Sequence, residues 1–320
     1  VIHPVKSQAP AYVYKWCYQM ENIFKRFRFK DDAFSDEQLV SAMEQKFQDT
    51  QVRIGFPAVK GSPNIRAILS KARKIVKTIL GEYSSERHKE LCTFGKNAAV
   101  GTSVENAYPD SRLMGPTTGS VDHIQFFQET LEGDKTLQKL FLSVKKTGET
   151  KKLVDPGLGK YCVCDTLQLM GVPKSFKAFR TIMPNTELGV FYTSGLGKYI
   201  VEKLAEAGYN LNHRQRRHQR LAQRFSRTRS HVTADLSAAS DSFTSCLINA
   251  LVPRQWYNIL KRGRIDKYRD RHDNVHYMCT FMTMGIGFTF PLQTLLFYAI
   301  IKSIGESLGV EGVYSVFGDD

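Results

Sequence analysis

Val313-Tyr314-Ser315-Val316-Phe317-Gly318-Asp319-Asp320 is the stretch on which the reading of the fold turns. Its alternating apolar run, broken at a glycine and followed by two adjacent carboxylates, predicts a β-strand entering a tight turn with acid at the tip. Neighbours on a strand point to opposite faces, whereas in a turn both carboxylates can reach one cation. A Mg²⁺ ion takes hard oxygen ligands, few of them from protein, and keeps room for water and substrate phosphate. Alone, Gly-Asp-Asp is also an ordinary turn. The catalytic reading therefore needs another acid converging on the same point.

Composition narrows the classes. A chain of 320 residues, 42% hydrophobic and 24% charged, is long enough for two or three subdomains around a core. Forty-five Lys+Arg against 31 Asp+Glu give a formal charge of +14, which points to a polyanionic partner, most often nucleic acid. The six cysteines, Cys17, Cys92, Cys162, Cys164, Cys246 and Cys279, are scattered with no paired metal spacing. That pattern fits a reducing cytoplasm and argues against structural zinc. No apolar run reaches the roughly 18 residues of a membrane span and no signal-peptide pattern opens the chain, so no membrane partner is expected. Opening at Val1 and stopping inside the expected hairpin turn, the chain reads as a fragment truncated at both ends.

Within residues 1–60, Tyr12, Tyr14, Trp16 and Tyr18 precede Lys25, Arg26, Arg28 and Lys30, an amphipathic stretch with a basic side. Ser62-Pro63 offers an N-cap and first turn to a helix whose apolar residues run from Ile65 to Leu80 and whose other face carries Arg66, Lys71, Arg73, Lys74 and Lys77. Turn-forming residues dominate 94–119, and helical patterning resumes over 124–142. The turn-rich patch 145–160 marks a candidate boundary between an N-terminal subdomain and a second one, and the chain divides into an N-terminal region (1–160), a segment with a basic strand (161–230) and a C-terminal region (231–320). In the basic strand, Lys174, Lys177 and Arg180 supply two movable point charges and a fork, a set suited to a triphosphate. Seven arginines without an acid lie between Asn212 and Ser230, Arg214, Arg217, Arg220 and Arg224 among them. Such a run is either a solvated helix face or a track for RNA phosphates, and the second reading is favoured.

The missing acid is supplied by His231-Val232-Thr233-Ala234-Asp235-Leu236-Ser237-Ala238-Ala239-Ser240-Asp241-Ser242. Asp235 is expected at a strand end, with 237–242 turning into a helix and Asp241 reaching back to the strand tip. Two strand ends bearing Asp235, Asp319 and Asp320 suit two divalent ions about 3.5–4 Å apart, the arrangement for in-line displacement at phosphorus. Between the clusters, Gly285 and Gly287 permit a sharp loop. Pro291 suits the first turn of a helix running to about Ser307. Thr289 and Gln293, if exposed at its start, can meet a ribose edge.

The order Val-Pro-Lys-x-x-Lys-x-x-Arg, Asp235-Leu-Ser-Ala-Ala-Ser-Asp241-Ser, Gly-x-Gly-Phe-Thr-Phe-x-Leu and Phe-Gly-Asp-Asp closely resembles the RNA-dependent RNA polymerase subunit of single-stranded RNA bacteriophages, the levivirus family of which phage Qbeta is the familiar member. The resemblance covers about 171–320, including the Gln219-Arg220-x-Ala222 lead-in. It implies an α+β right-hand polymerase with partial fingers and a palm of antiparallel sheet flanked by helices, the thumb lying beyond this fragment. It further implies that Asp235 and Asp319 ligate catalytic Mg²⁺ (or Mn²⁺), with Asp320 beside them. Asp241, Thr289 and Gln293 would surround the ribose, Lys174, Lys177 and Arg180 would hold the nucleotide's phosphates, and Gly285 and Gly287 would shape a template loop. The implied partners are RNA template and product, NTPs, host translation elongation factors and a ribosomal protein, in the cytoplasm of an infected bacterial host. Gln293 departs from the acidic residue of Qbeta-like members, and Ile286 from a polar one. The competing readings are a mitovirus-like polymerase, whose glycine motif would differ, a reverse transcriptase, against which Asp241 counts, and a non-catalytic basic RNA-binding protein.

Overall fold

Helix starts follow the capping residues that the sequence offers. In the computed structural model, which describes residues 35–55, 62–95, 117–139, 161–175, 178–225, 238–310 and 312–319 with a few isolated positions between them, α1 (Asp36–Ile54) opens on a capping box between Ser35 and Gln38. In α2 (Pro63–Leu80), the Ser62 side chain accepts from the Ile65 N–H and Pro63 occupies the first turn. Helices α3 (Ser85–Leu91), α4 (Val121–Gly133), α5 (Glu187–Glu206) and α7 (Ser245–Leu251) start in the same way, on Ser84, Ser120, Thr186 and Thr244. Further helices among the described residues are α6 (Arg214–Phe225), α8 (Arg254–Arg262) and α9 (Thr289–Leu308).

The apolar stripe of α2 is buried as its spacing requires, with Ala72, Val76 and Leu80 fully enclosed. They join one hydrophobic cluster with Phe127 of α4, Leu196 of α5, Trp256 of α8 and Leu292 and Leu296 of α9. This cluster draws on all three segments of the chain. The basic face of α2 is partly spent on packing. Lys71 donates to Ser307 Oγ (3.0 Å), and Arg73 donates to the carbonyls of Asn249 and Ala250 (2.8 and 3.0 Å).

Strands are short and peripheral to this helical body. β1 (Thr117–Gly119) pairs in parallel with β2 (Tyr161–Val163). β3 (Thr166–Gln168) pairs in parallel with β6 (Lys267–Arg269), which pairs antiparallel with β7 (Val275–Tyr277). The basic strand expected from 177 to 182 is present as β5 (Ala178–Ile182), antiparallel to β4 (Met170–Ser175) with Val172 opposite Arg180 and a bulge between Pro173 and Ser175. The arrangement is α+β.

Two sequence expectations need correction. Residues 313–317 are extended but carry no sheet partner among the described residues, and Asp319 lies in none of the described sheets. Of the stretch 237–242, the described residues 238–242 form only a single 3₁₀ turn, Ser240–Ser242, because Thr244 supplies the cap and delays the helix to Ser245. The first 34 residues apart from 19 and 20, the stretch 140–160, and Lys177, Arg227, Arg229, 231–233, Asp235, Ser237 and Asp320 lie outside the described residues.

Close backbone contact seats the glycine loop on α5. A Cβ on Gly197 would lie 2.4 Å from the Gly287 carbonyl oxygen, and one on Gly287 would lie 2.7 Å from the Thr193 carbonyl. Alanine gains about 1 kcal/mol over glycine in a helix interior, whereas overlap with rigid backbone costs about 1–3 kcal/mol or more. Gly197→Ala is therefore expected to lower the urea unfolding midpoint, despite its helix propensity. A raised midpoint would show that the loop does not bear on α5.

Candidate active site at the Gly-Asp-Asp turn

The turn is held by side chains from the helical body. Tyr209 is buried after α5, and its hydroxyl accepts from the Val316 N–H (2.6 Å) while donating to the Val316 carbonyl (2.7 Å). One phenol thus satisfies both polar groups of a residue that a neighbouring strand would otherwise serve. Two residues on, the Gly318 N–H donates to Thr294 Oγ1 of α9 (2.9 Å). Gly318 adopts φ +70°, and a Cβ there would stand 2.8 Å from the Phe290 ring, so both conformation and space select glycine. Phe290 also meets Phe317 edge to face at 4.8 Å. This framework leaves Asp319 exposed at the tip of the turn.

On the other side, Ser315 links the same segment to α6. Arg214 Nη1 donates to Ser315 Oγ (3.1 Å), and His218 Nε2 lies 2.6 Å from it. The Arg214 guanidinium stacks over the Tyr209 ring at 3.2 Å. Burial raises the Tyr209 phenol and lowers Arg214, which Arg217 depresses further. Of the arginines read as an RNA track, Arg214 is buried and structural in its contacts, while Arg217, Arg220 and Arg224 are exposed.

A ribose contact from Thr289 and Gln293 is conditional on their exposure. Thr289 and Gln293 are only 8% and 5% exposed, because the start of α9 turns that face inward. The Thr289 hydroxyl is already committed to the Thr283 carbonyl (2.8 Å). Asp241 sits in the 3₁₀ turn, where its carboxylate accepts from the Ser240 hydroxyl (3.4 Å). Burial pushes the Asp241 carboxyl up to about 6, against the pull of Ser240 and the charge of Lys46 on α1.

The same helix α1 packs against β5 and against the Asp241 turn. Lys174 and Arg180 are exposed on the β4–β5 hairpin. That hairpin is tied to the glycine loop, since the Met183 N–H donates to the Met284 carbonyl (2.8 Å). Gly285, at φ +129°, would place a Cβ 1.9 Å from the Met183 carbonyl oxygen. In the structure both loop glycines serve backbone-to-backbone packing. No cluster of three or more metal-ligating side chains occurs among the described residues. No described helix is long and apolar enough to cross a membrane.

Sequence reading missed Tyr209, Ser315, Phe290 and Thr294 as the supports of the turn. Only Thr294 left a local signal, a hydroxyl inside the apolar run of α9.

Comparison with known proteins places these features in context. Residues 55–320 match the family model described as RNA replicase, beta-chain. The chain is similar to the RNA-directed RNA polymerase beta chain of Enterobacteria phage GA, 30% identical over 257 residues, 80% of this chain and 46% of that protein. It is 28% identical over 248 residues to the beta chain of Escherichia phage MS2, covering 78% of this chain and 43% of that one. Against the RNA-directed RNA polymerase subunit beta of Escherichia virus Qbeta it is 35% identical over 150 residues, 47% of this chain and 25% of that subunit. The chain spans less than half the length of these relatives.

Two outcomes follow from the geometry. Tyr209→Phe keeps the ring stack but strands the buried Val316 N–H and C=O, each at about 1–3 kcal/mol. Equilibrium unfolding should show a loss of that order, and an unchanged free energy would mean the hydroxyl does not hold the turn. For Asp241, a carboxyl raised from 3.8 to about 6 by folding stabilises the fold below pH 3.8 and loses that contribution as pH rises through 6. Asp241→Asn should therefore match the parent near pH 4 and exceed it near pH 7.5 by on the order of 2 kcal/mol. A pH-independent difference would remove the burial argument.

Proposed function

Because this chain belongs to the RNA replicase beta-chain family, we propose that it forms the fingers and palm part of a right-hand polymerase that copies a phage RNA genome. The reaction is template-directed nucleotidyl transfer from an NTP to an RNA 3′-hydroxyl, in the cytoplasm of an infected bacterial host. The observation that carries the reading is the Gly318-Asp319 turn, whose backbone is fixed by buried groups while its carboxylate stays open to solvent. A carboxylate kept rigid but hydrated is what a cation site requires, since it can take a hard ion without surrendering a structural contact.

Asp235 and Asp319 are the proposed metal ligands, with Asp320 beside them. Their donor set is entirely carboxylate oxygen, which suits Mg²⁺ and also Mn²⁺. When bound, such an ion supplies charge neutralisation at the phosphoryl oxygens and activation of the attacking hydroxyl. The protein's own part is to bind and orient. Lys174 and Arg180, exposed on the β4–β5 hairpin, and Lys177 between them would grip the triphosphate, where developing charge needs fixed cations. Asp241 would meet the ribose hydroxyls, accepting hydrogen bonds from them as a carboxylate. Thr289 and Gln293 contribute to the ribose site only if the start of α9 opens, since both are buried. Gly285 and Gly287 would set the template loop. Host translation elongation factors and a ribosomal protein are proposed partners by family likeness alone.

In a chain extended to the length of its relatives, Asp235→Asn and Asp319→Asn should each reduce RNA synthesis on a 3′-CCA-ended template by about 10³-fold or more while leaving RNA affinity within about twofold. Full-rate synthesis by either variant would refute the ligand assignment. RNA binding without any synthesis in the parent would favour a non-catalytic RNA-binding protein.

A further inference from the structure

We propose that the concavity at the start of α6 is an anion site that takes phosphodiester groups of an RNA strand, irrespective of base; this rests on the polymerase reading. The concavity has a volume of about 460 Å³, and Asn210, His213, Arg214, Arg216, Arg217 and Arg220 are among the residues lining it. Helix α6 contains no acid in its twelve residues. Among the described residues Arg216, Arg217 and Arg220 make no ion pair with the protein.

Four guanidinium groups around one hollow repel one another, and nothing in the described fold offsets the repulsion. Arg214 cannot swing away to relieve it, being 8% exposed, stacked on Tyr209 and bonded to Ser315. An anionic ligand supplies the counter-charge that the described fold does not. Guanidinium forks match phosphate oxygens in pairs.

The lining also says what part of a nucleic acid would be read. A base is recognised by stacking or by its edges, yet none of these six residues offers an aromatic face beyond the small ring of His213, and the nearby Tyr209 ring is covered by Arg214. Cations without a stacking platform read backbone, so binding here is independent of sequence. Ser315 joins the pocket wall to the segment that carries Asp319. A strand seated on α6 is thereby held in register with the Gly-Asp-Asp turn.

The test uses the complete chain and fluorescence anisotropy with labelled oligo-A and oligo-U RNA between 50 and 200 mM salt. Arg217→Gln combined with Arg220→Gln should weaken both RNAs equally and flatten the plot of log affinity against log salt by about 0.7 for each single-strand phosphate that is no longer neutralised. Arg217→Lys with Arg220→Lys, which keeps the charge, should restore most of the slope, and circular dichroism should show both variants folded. An unchanged slope in the Gln pair overturns the site. A weakening confined to one base overturns backbone reading. If pyrophosphate displaces RNA from the parent but not from the Gln pair at matched ionic strength, the hollow is a free-phosphate site and the phosphodiester assignment falls. Binding is read without synthesis, so a chain showing the expected slopes but making no RNA sinks the polymerase reading and leaves the anion site standing.

Discussion

One phenol oxygen, Tyr209 Oη, binds both the N–H and the carbonyl of Val316, and the placement of the Gly-Asp-Asp turn depends on it. A strand end normally takes its position from its neighbours in a sheet. Here the described residues offer no such neighbour to 313–317, and fixed points from the helical body do the work: Tyr209 after α5, Thr294 on α9 and Arg214 on α6. Each is itself locked, Tyr209 and Thr294 by burial and Arg214 by burial and ring stacking. The carboxylate at the tip can therefore stay in water while its backbone does not move with it.

That arrangement divides labour between interior and surface. The large cluster around α2, α5, α8 and α9 is apolar and closely packed, with glycines at 197 and 287 letting backbones meet directly. Lys174 and Arg180 on the β4–β5 hairpin and Arg217, Arg220 and Arg224 on α6 are exposed. Exposed cations of this kind suit a polyanionic partner. Some charge is enclosed as well: Glu44, Arg112, Glu187, Arg214 and Asp270 are buried, and Asp241, packed in a turn against α1, has its carboxyl raised by burial.

How much of this was legible in the sequence follows from range. Helix α2 was readable because Ser62, Pro63 and the apolar spacing act within a few residues, and α9 because a long apolar run with Pro291 in its first turn has few alternatives. The basic strand β5 was visible from its alternation. The supports of the turn were not, since Tyr209 and Val316 are 107 residues apart and neither carries a local pattern. The burial of Thr289 and Gln293 was not legible, because helix periodicity gives a face but not the side on which the core lies. The glycines were legible as conformational signals. Their partners, Met183 and Thr193, were not.

The central claim is that carboxylates distant along the chain hold one cation together. Mn²⁺ titration of the full-length protein by electron paramagnetic resonance, with the parent and with Asp235→Asn and Asp319→Asn, measures this directly. The expected result is that each substitution weakens the same tight site by about tenfold or more. An Asp235→Asn protein that binds Mn²⁺ as tightly as the parent would contradict it.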